Sequence, residues 1–326
     1  MLEQLQSRLA AYYITKRPMA KVGPLEELAG GWASAVYAFA LEEPGAAPAR
    51  LVLKTFAPSQ AGQAHAEREW RALTSLGATG YAVPGAHMFE PDPRVIGNPF
   101  VLIERVAGEQ LWAIYERASA ADQQRIVQSF VARLAELHAL APQLLDPALA
   151  WGHSYAYIDW ELAELCGDAR RSPHAALAGV VGWLERNRTA VPCARPAILH
   201  RDYHPWNVLV DVTGRLVVLD WDWRIGDPRF DLAWAITLMR RSRFDAFAAA
   251  VLVEYTRQSG RAPDELAYFE VLTTVRWLLN VTQAIASDDP QRADMRLAFR
   301  EFLAEPVLRA ADLLGGLTGV RVRVDL

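Results

Sequence analysis

Lysine and cysteine are both scarce in this chain of 326 residues. Of its 34 lysines and arginines only Lys16, Lys21 and Lys54 are lysine. The two cysteines, Cys166 and Cys193, are too few for a disulfide framework. A reducing compartment, the cytoplasm, is therefore expected. No apolar run approaches the ~18 residues that would suggest a membrane span. The opening stretch MLEQLQSRLAAYYITKR lacks the apolar core and small-residue cleavage site of a signal peptide. No basic run stands out, and the net charge of −4 argues against nucleic acid as a partner. Internal repeats and low-complexity linkers are absent too.

What remains is the composition of a globular protein, 52% hydrophobic and 22% charged. Its length exceeds the size at which one core usually stops growing, so two lobes are expected. Residues 2–15 pattern as an amphipathic helix. LEELAGGWASAVYAFAL (25–41) reads as two strands around a Gly-Gly break, and RLVLKTF (50–56) as a third. A helix over 60–77 ends at a glycine, and NPFVLIERVAG (98–108) is a buried strand. Beyond residue 109 helical spacing takes over. The segment 121–140 places Ile126, Phe130, Leu134 and Leu137 on one face, and further helices follow at 174–187, 231–242, 244–258 and 265–286. A small antiparallel-sheet lobe joined to a larger helical one implies a cleft, the usual place for a ligand. The closing VRVRV (320–324) alternates as an edge strand or an interface segment would.

Two loops interrupt the helical half: LHRDYHPWNVLV (199–210) and LDWDWRIGDPRFDLA (219–233). Asp202 and Asn207 lie five residues apart, and Asp220 follows thirteen later at the end of a strand. Short strands WNVLVD and RLVVLD, turning at Thr213-Gly214, would bring Asn207 and Asp220 together. An amide oxygen beside a carboxylate suits Mg²⁺, which takes hard oxygen ligands and leaves places for phosphates. Asp202 is near enough to serve as a base, and Lys54, in an apolar strand, is either a strand-edge lysine or a compact charge aimed at a phosphate. Metal, phosphate-binding lysine and nucleophile-orienting residue are the parts of phosphoryl transfer.

HRDYHPWN resembles the H-x-D-x-x-x-x-N loop of kinase-like folds. With LDWxxxxxGDPxxDLA it resembles more closely the aminoglycoside phosphotransferase and choline kinase family; DFG and APE, the protein-kinase marks, are missing. The resemblance implies an α+β, bilobal protein-kinase-like fold with an antiparallel-sheet N-lobe carrying one helix and a mainly helical C-lobe. Lobe 1–103 would bind nucleotide, 104–108 would be the hinge, and 109–326 would carry catalysis and the acceptor. It further implies Asp202 as base, Asn207 and Asp220 as Mg²⁺ ligands, and Lys54 on the phosphates of ATP, or GTP, paired with Glu69 ahead of Glu67. Gly30, Gly31 and Ser34 would cover the phosphates, although GGWASA departs from G-x-G-x-x-G. Backbone groups from Glu104 to Val106 would hold the base, and Asp222 is a further metal or acceptor contact. The function implied is transfer of the γ-phosphate to a hydroxyl of a small molecule. Acceptors in the family span amino-sugars, amino-alcohols and sugar-like metabolites. A kinase acting on proteins and a non-catalytic nucleotide-binding module are the alternatives.

Other polar residues in these stretches have plainer readings. His200 and His204, four apart, could ligate zinc on a helix, but Pro205 follows, and support of the loop is expected instead. Asp227 and Asp231 read as a turn residue and an N-cap, Asp231 also as a tie to the catalytic loop, and His138 as a packed helix residue. Tyr203, Trp206, Trp221 and Trp223 read as packing, with an aromatic wall for a sugar or amine as the other option. Asp159, Glu161 and Glu164 read as a solvated helix face, with attraction of a cationic acceptor as the other option.

Overall fold

The computed structural model describes residues 2–28, 34–150, 152–172, 174–260, 262–286 and 293–324, with the side chains of 286 and 293–299 left aside. In chain order the elements are α1 (Leu2–Lys16), β1 (Lys21–Val22), β2 (Glu26–Leu28), β3 (Ser34–Glu42), β4 (Ala49–Phe56), α2 (Gln60–Ala78), β5 (Ala86–Glu90), β6 (Phe100–Glu104), β7 (Gly108–Gln110) and α3 (Leu111–Arg117). There follow α4 (Ala120–Ala139), α5 (Ala156–Arg171), α6 (Ala175–Asn187), β8 (Ala197–Leu199), β9 (Val208–Asp211), β10 (Leu216–Val218) and β11 (Arg224–Gly226). The chain closes with α7 (Arg229–Arg241), α8 (Asp245–Ser259), α9 (Leu266–Ala286) and α10 (Ala293–Thr318). Contacts divide it into two compact units: Met1–Glu116 with Pro205–Trp223, and Arg117–His204 with Arg224–Leu326. Sequence patterning places the change near 104–108. The structure carries the first unit to Glu116 and adds the 205–223 hairpin, because β9 pairs with β7.

The first unit is an antiparallel sheet in the order β1-β3-β4-β6-β5, with β2 also on β3. Alternate residues of its central strands, Phe39, Leu41, Leu51, Leu53, Phe100 and Leu102, share a core with Leu9 and Tyr13 of α1. Period-two burial on one face is what an antiparallel sheet covered by a helix demands. The Ser59 side chain caps α2 by accepting from Gly62 N at 3.2 Å. That helix runs past Gly77 to Ala78, and the left-handed exit falls to Gly80, at φ +85°. A second small sheet, β10-β9-β7, holds the hairpin. Its turn is built by Asp211, whose Oδ1 accepts the amides of Thr213 and Arg215, and Gly214 takes the φ of +84° that the turn requires.

The second unit packs α4–α10 around the β8–β11 ribbon. Ser119 caps α4, and the buried stripe of that helix is Val127, Phe130, Val131, Leu134 and Leu137, with Ile126 half-buried beside it. Gly226 sits in β11 against the Tyr157 ring, where an added Cβ would come within 2.5 Å. No other residue fits there without a shift. α10, with Pro306 inside it, has no counterpart in the sequence reading. The 320–324 segment is an irregular tail rather than a strand: Val322 is buried in the helical core, with Val320 and Val324 packed on it. Its alternation reflects one-sided burial without a strand partner. No helix among the described residues is long and apolar enough to cross a membrane.

Candidate active site

In the first unit Lys54 lies in mid-β4, in register with Val36 and Val101. Its Nζ is 2.5 Å from Glu69 Oε1 and 2.7 Å from Asp220 Oδ1. Helical phase selects the glutamate. Ala66, Glu69, Leu73 and Leu76 form the i, i+3, i+7 stripe of α2 that turns inward. Glu67 points to solvent and pairs with Arg71 instead. Burial disfavours the Lys54 charge, but the Glu69 and Asp220 carboxylates overcome it and hold its pKa above the usual lysine value.

Asp220 reaches this lysine from a strained backbone, at φ +60° two residues past the end of β10. Leu219 N donates to Asn207 O at 2.9 Å, which extends the β9–β10 ladder and sets Asn207 and Asp220 at its open end, away from the turn. Lys54, Glu69 and Asp220 line one cavity of about 250 Å³ together with Glu104 and Val106. Val36, Val52, Leu209 and Leu219 give it aliphatic walls. These wall residues escape sequence reasoning, since strand alternation marks them as ordinary core.

In the second unit Asp202 stands on the loop after β8. Trp234 Nε1 donates to its Oδ1 at 2.8 Å, and His204 Nε2 lies 3.2 Å from the same oxygen. Its own amide donates to His200 Nδ1 at 3.2 Å. Burial would raise the Asp202 pKa, but His204, His200 and the Trp234 N–H outweigh it and hold the carboxyl below its ordinary value. The preceding residue, Arg201, is at φ +71°, the left-handed region that costs energy to any residue with a Cβ. Asp231 holds this turn: one carboxylate oxygen accepts from His200 N and the other from Arg201 N, both at 2.8 Å, and His138 Nε2 is 3.1 Å away.

Asp231 therefore lies in the first turn of α7, not at its N-cap. Asp227 does the turn-making, accepting from Arg229 N at 3.0 Å. The Arg201 side chain enters a buried cluster. Its guanidinium donates to Glu161 Oε1 at 3.0 Å, and Arg276 and Tyr157 also reach that carboxylate. Glu161 is 0% exposed, so its place on a solvated face is corrected: α5 turns it inward, and two arginines make its burial affordable. Asp159 pairs with Arg188, and Glu164 is exposed.

Of the other expected positions, Gly30 and Gly31 lie outside the described residues, and Ser34 begins β3 opposite Phe56. Glu104 ends β6, its amide bonded to Gly85 O and its Oε2 to Gly85 N. Asp222 pairs with Arg68. Trp221 and Tyr203 are fully buried, and Trp206 stacks obliquely on Trp112, so packing accounts for them. Trp234, the donor to Asp202, was missed because the helix it sits in looks merely amphipathic.

The donors at the hairpin end are one amide oxygen and one carboxylate, and the Asp220 side chain is 49% exposed. Among the described residues no group of three or more His, Cys, Asp or Glu is placed to hold a metal. A hard, oxygen-poor protein set of this kind fits Mg²⁺, which relies on phosphates and water for its remaining ligands.

A comparison with curated proteins gives no significant match. Among solved structures the chain is similar to a Ralstonia eutropha protein provisionally named an aminoglycoside phosphotransferase, with TM-score 0.64, 20% identity, and coverage of 94% of this chain and 98% of that one. It is also similar to the GDP complex of aminoglycoside 2'-phosphotransferase-IIIa, with TM-score 0.61, 16% identity, and coverage of 96% and 98%. A third is a thermostable mutant of aminoglycoside phosphotransferase APH(4)-Ia with AMP-PNP and hygromycin B, with TM-score 0.62, 14% identity, and coverage of 94% and 98%. These likenesses establish the protein-kinase-like α+β fold. The sequence model of the phosphotransferase enzyme family matches residues 24–269, most of the chain. With its lysine–glutamate pair, its hairpin acid and its clasped aspartate loop, the chain belongs to that phosphotransferase family.

Proposed function

We propose that this protein transfers the γ-phosphate of ATP, or of GTP, to a hydroxyl of a small molecule. The observation that carries the reading is the 250 Å³ cavity in which Lys54, Glu69 and Asp220 meet Glu104 and Val106. An apolar slot with one buried, doubly paired lysine has the make-up of a site for a flat base joined to a polyphosphate. An ammonium carries three N–H donors, and Glu69 and Asp220 take two. The third is available to phosphate oxygens. The first unit is thus the nucleotide-binding part, and the backbone from Glu104 to Val106 meets the base.

Asn207 and Asp220 would hold Mg²⁺, whose charge offsets that of the phosphates. Asp202 is an acceptor of modest basicity, since its pKa is held down. That suits phosphoryl transfer, whose loose transition state asks little of a base early on. Asp202 orients the acceptor hydroxyl and takes its proton at Oδ2 or Oδ1 as the O–P bond forms, while the γ-phosphate leaves the nucleoside diphosphate. Trp234 and Asp231 keep the carboxylate and its loop in place.

The test is Mg·ATP and Mg·GTP consumption across a panel of amino-sugars, amino-alcohols, sugars and hydroxy acids, with wild type and Asp202→Ala side by side. One acceptor should stimulate the wild type, and the variant should lose about 10²–10⁴-fold in turnover while still binding nucleotide. Near-native turnover by the variant would overturn the role of Asp202. Failure of the wild type to bind either nucleotide would overturn the whole reading.

A further inference from the structure

The second unit contains a cavity of about 170 Å³ between α7, the start of α8, α9 and α10. Arg240, Arg241 and Arg309 line it, with Thr237, Thr274 and Asp245. Two of these arginines have carboxylate partners: Arg240 pairs with Glu270 at 2.6 Å and Arg309 with Asp245 at 3.0 Å. Arg241 has none among the described residues, although it is only 4% exposed. Its Nη2 and the Thr274 Oγ1 are both buried without a hydrogen-bond partner among the described residues. The bond from its Nη1 to Thr237 Oγ1 is long, at 3.5 Å.

A buried guanidinium without a carboxylate is costly unless something else meets its charge. Here the ring of Trp277 lies 4.3 Å from its central carbon and that of Trp234 5.3 Å away. Face-on stacking supports the cation and leaves the N–H edge of the plane for a bidentate oxyanion. Burial pushes the Arg241 pKa down to about 9, with the charge of the Asp202 carboxylate acting in the other direction, so it stays charged at neutral pH. Trp234 ties this cavity to the reaction loop, because the same indole that carries Arg241 donates to Asp202 Oδ1.

We infer that the Arg241 cavity binds the anionic group, a carboxylate or a phosphate ester, of the acceptor whose hydroxyl is to be phosphorylated. Arg241 forks the oxyanion and Thr274 donates a hydroxyl to it, while Arg240 and Arg309, each already neutralised by its own carboxylate, line the cavity beside them. The acceptor's hydroxyl then lies on the Asp202 side of Trp234. This assignment rests on the phosphotransferase reading, yet its anion site can be measured without any nucleotide.

The first experiment titrates inorganic phosphate and, separately, acetate into the full chain, read by tryptophan fluorescence and by melting temperature. Wild type should bind at least one of the two saturably and melt higher with it. Arg241→Met should weaken that binding by about ten- to a hundredfold, as expected for a charged hydrogen-bonding partner, and Thr274→Val by a few-fold. Without anion, Arg241→Met should melt at or above the wild-type temperature, because it removes a buried charge that has no carboxylate within ion-pair distance among the described residues. Should that variant fail to fold, Arg241→Lys and Thr274→Val carry the comparison. Equal anion affinity in wild type and variants, or no saturable binding, overturns the site.

The second experiment sorts the acceptor panel by charge. The preferred acceptor should carry a carboxylate or phosphate, the two arms separating these sources. Its neutral amide or dephosphorylated analogue should be at least tenfold poorer in kcat/KM. Arg241→Met should raise KM for the anionic acceptor more than it lowers kcat. A neutral or cationic best acceptor overturns the assignment. Anion binding without turnover of any acceptor overturns the acceptor role and the phosphotransferase reading, while the anion site stands.

Discussion

Replacing Asp231 by alanine should both unfold the protein more easily and disable it. The carboxylate accepts two buried backbone N–H groups at 2.8 Å each and faces His138 at 3.1 Å. Hydrogen bonds to a charged group contribute about 1.5–3 kcal/mol each, and donors left buried without a partner cost about as much. The left-handed Arg201 backbone stores roughly a further 1–3 kcal/mol that the clasp now holds in check, and relaxing it would return part of the loss. A net destabilisation of about 4 kcal/mol follows. With a urea m-value near ~3 kcal/mol/M, the unfolding midpoint should fall by roughly 1–1.5 M. Asp231→Asn keeps one accepting oxygen and turns an N–H toward the other amide, so it should lose about half as much. Tryptophan fluorescence in urea measures the midpoints, and circular dichroism in buffer confirms that the variants start folded. A midpoint for Asp231→Ala within ~0.2 M of wild type would refute the clasp. So would wild-type turnover by a variant that is demonstrably destabilised, since the loop would then be active without its anchor.

The remaining predictions concern the other elements of the site. Lys54→Met should lower kcat by about 10²–10³-fold, the usual cost of removing one preorganised donor to developing charge, and Glu69→Gln should do less because Asp220 still holds the ammonium; steady-state turnover on the identified acceptor decides. Asp202 has its pKa depressed, so its ionised form persists as pH falls and the acid limb of kcat/KM should lie below the ordinary aspartate value of ~3.9. Any stability that Asp202 contributes is likewise present above that value and lost as pH drops through the lower folded pKa. Trp234→Phe removes a donor to the ionised form and should move the acid limb upward; an unmoved limb would sink the assignment. Gly226→Ala, facing the Tyr157 ring at 2.5 Å, should cost about 1–3 kcal/mol by overpacking, measured as a lower unfolding midpoint with little change in nucleotide affinity.

Much of this site was readable before any coordinates. The spacing from Asn207 through the Thr213-Gly214 turn to Asp220 specifies a hairpin whose ends meet, and the ladder from Val208 to Val218 has that register. The lone lysine in an apolar strand signalled Lys54, whereas the sequence left the phase of α2 open between Glu69 and Glu67, and only the buried stripe of the helix separates them. The misreadings share a physical cause. Glu161 was placed at the surface because a single helix cannot reveal that Arg201 and Arg276 arrive from elsewhere to meet it. For Asp231 the N-cap reading fails and the tie to the catalytic loop holds, because its partners are backbone amides thirty residues upstream.

By itself the sequence determined which chemistry is available: the acids, the amide, the lysine and the glycine-marked turns, because these depend on residue type and short spacing. Tertiary structure alone decided which charges share a partner and which do not. Nothing local tells that Lys54, in its apolar strand, stands between two carboxylates, or that Arg241, in the arginine-rich run MRRSR, has none within ion-pair distance among the described residues while its neighbours Arg240 and Arg243 each have one. What separates Lys54 from Arg241 is what long-range packing brings within about 3 Å of their nitrogens, a separation no local pattern encodes.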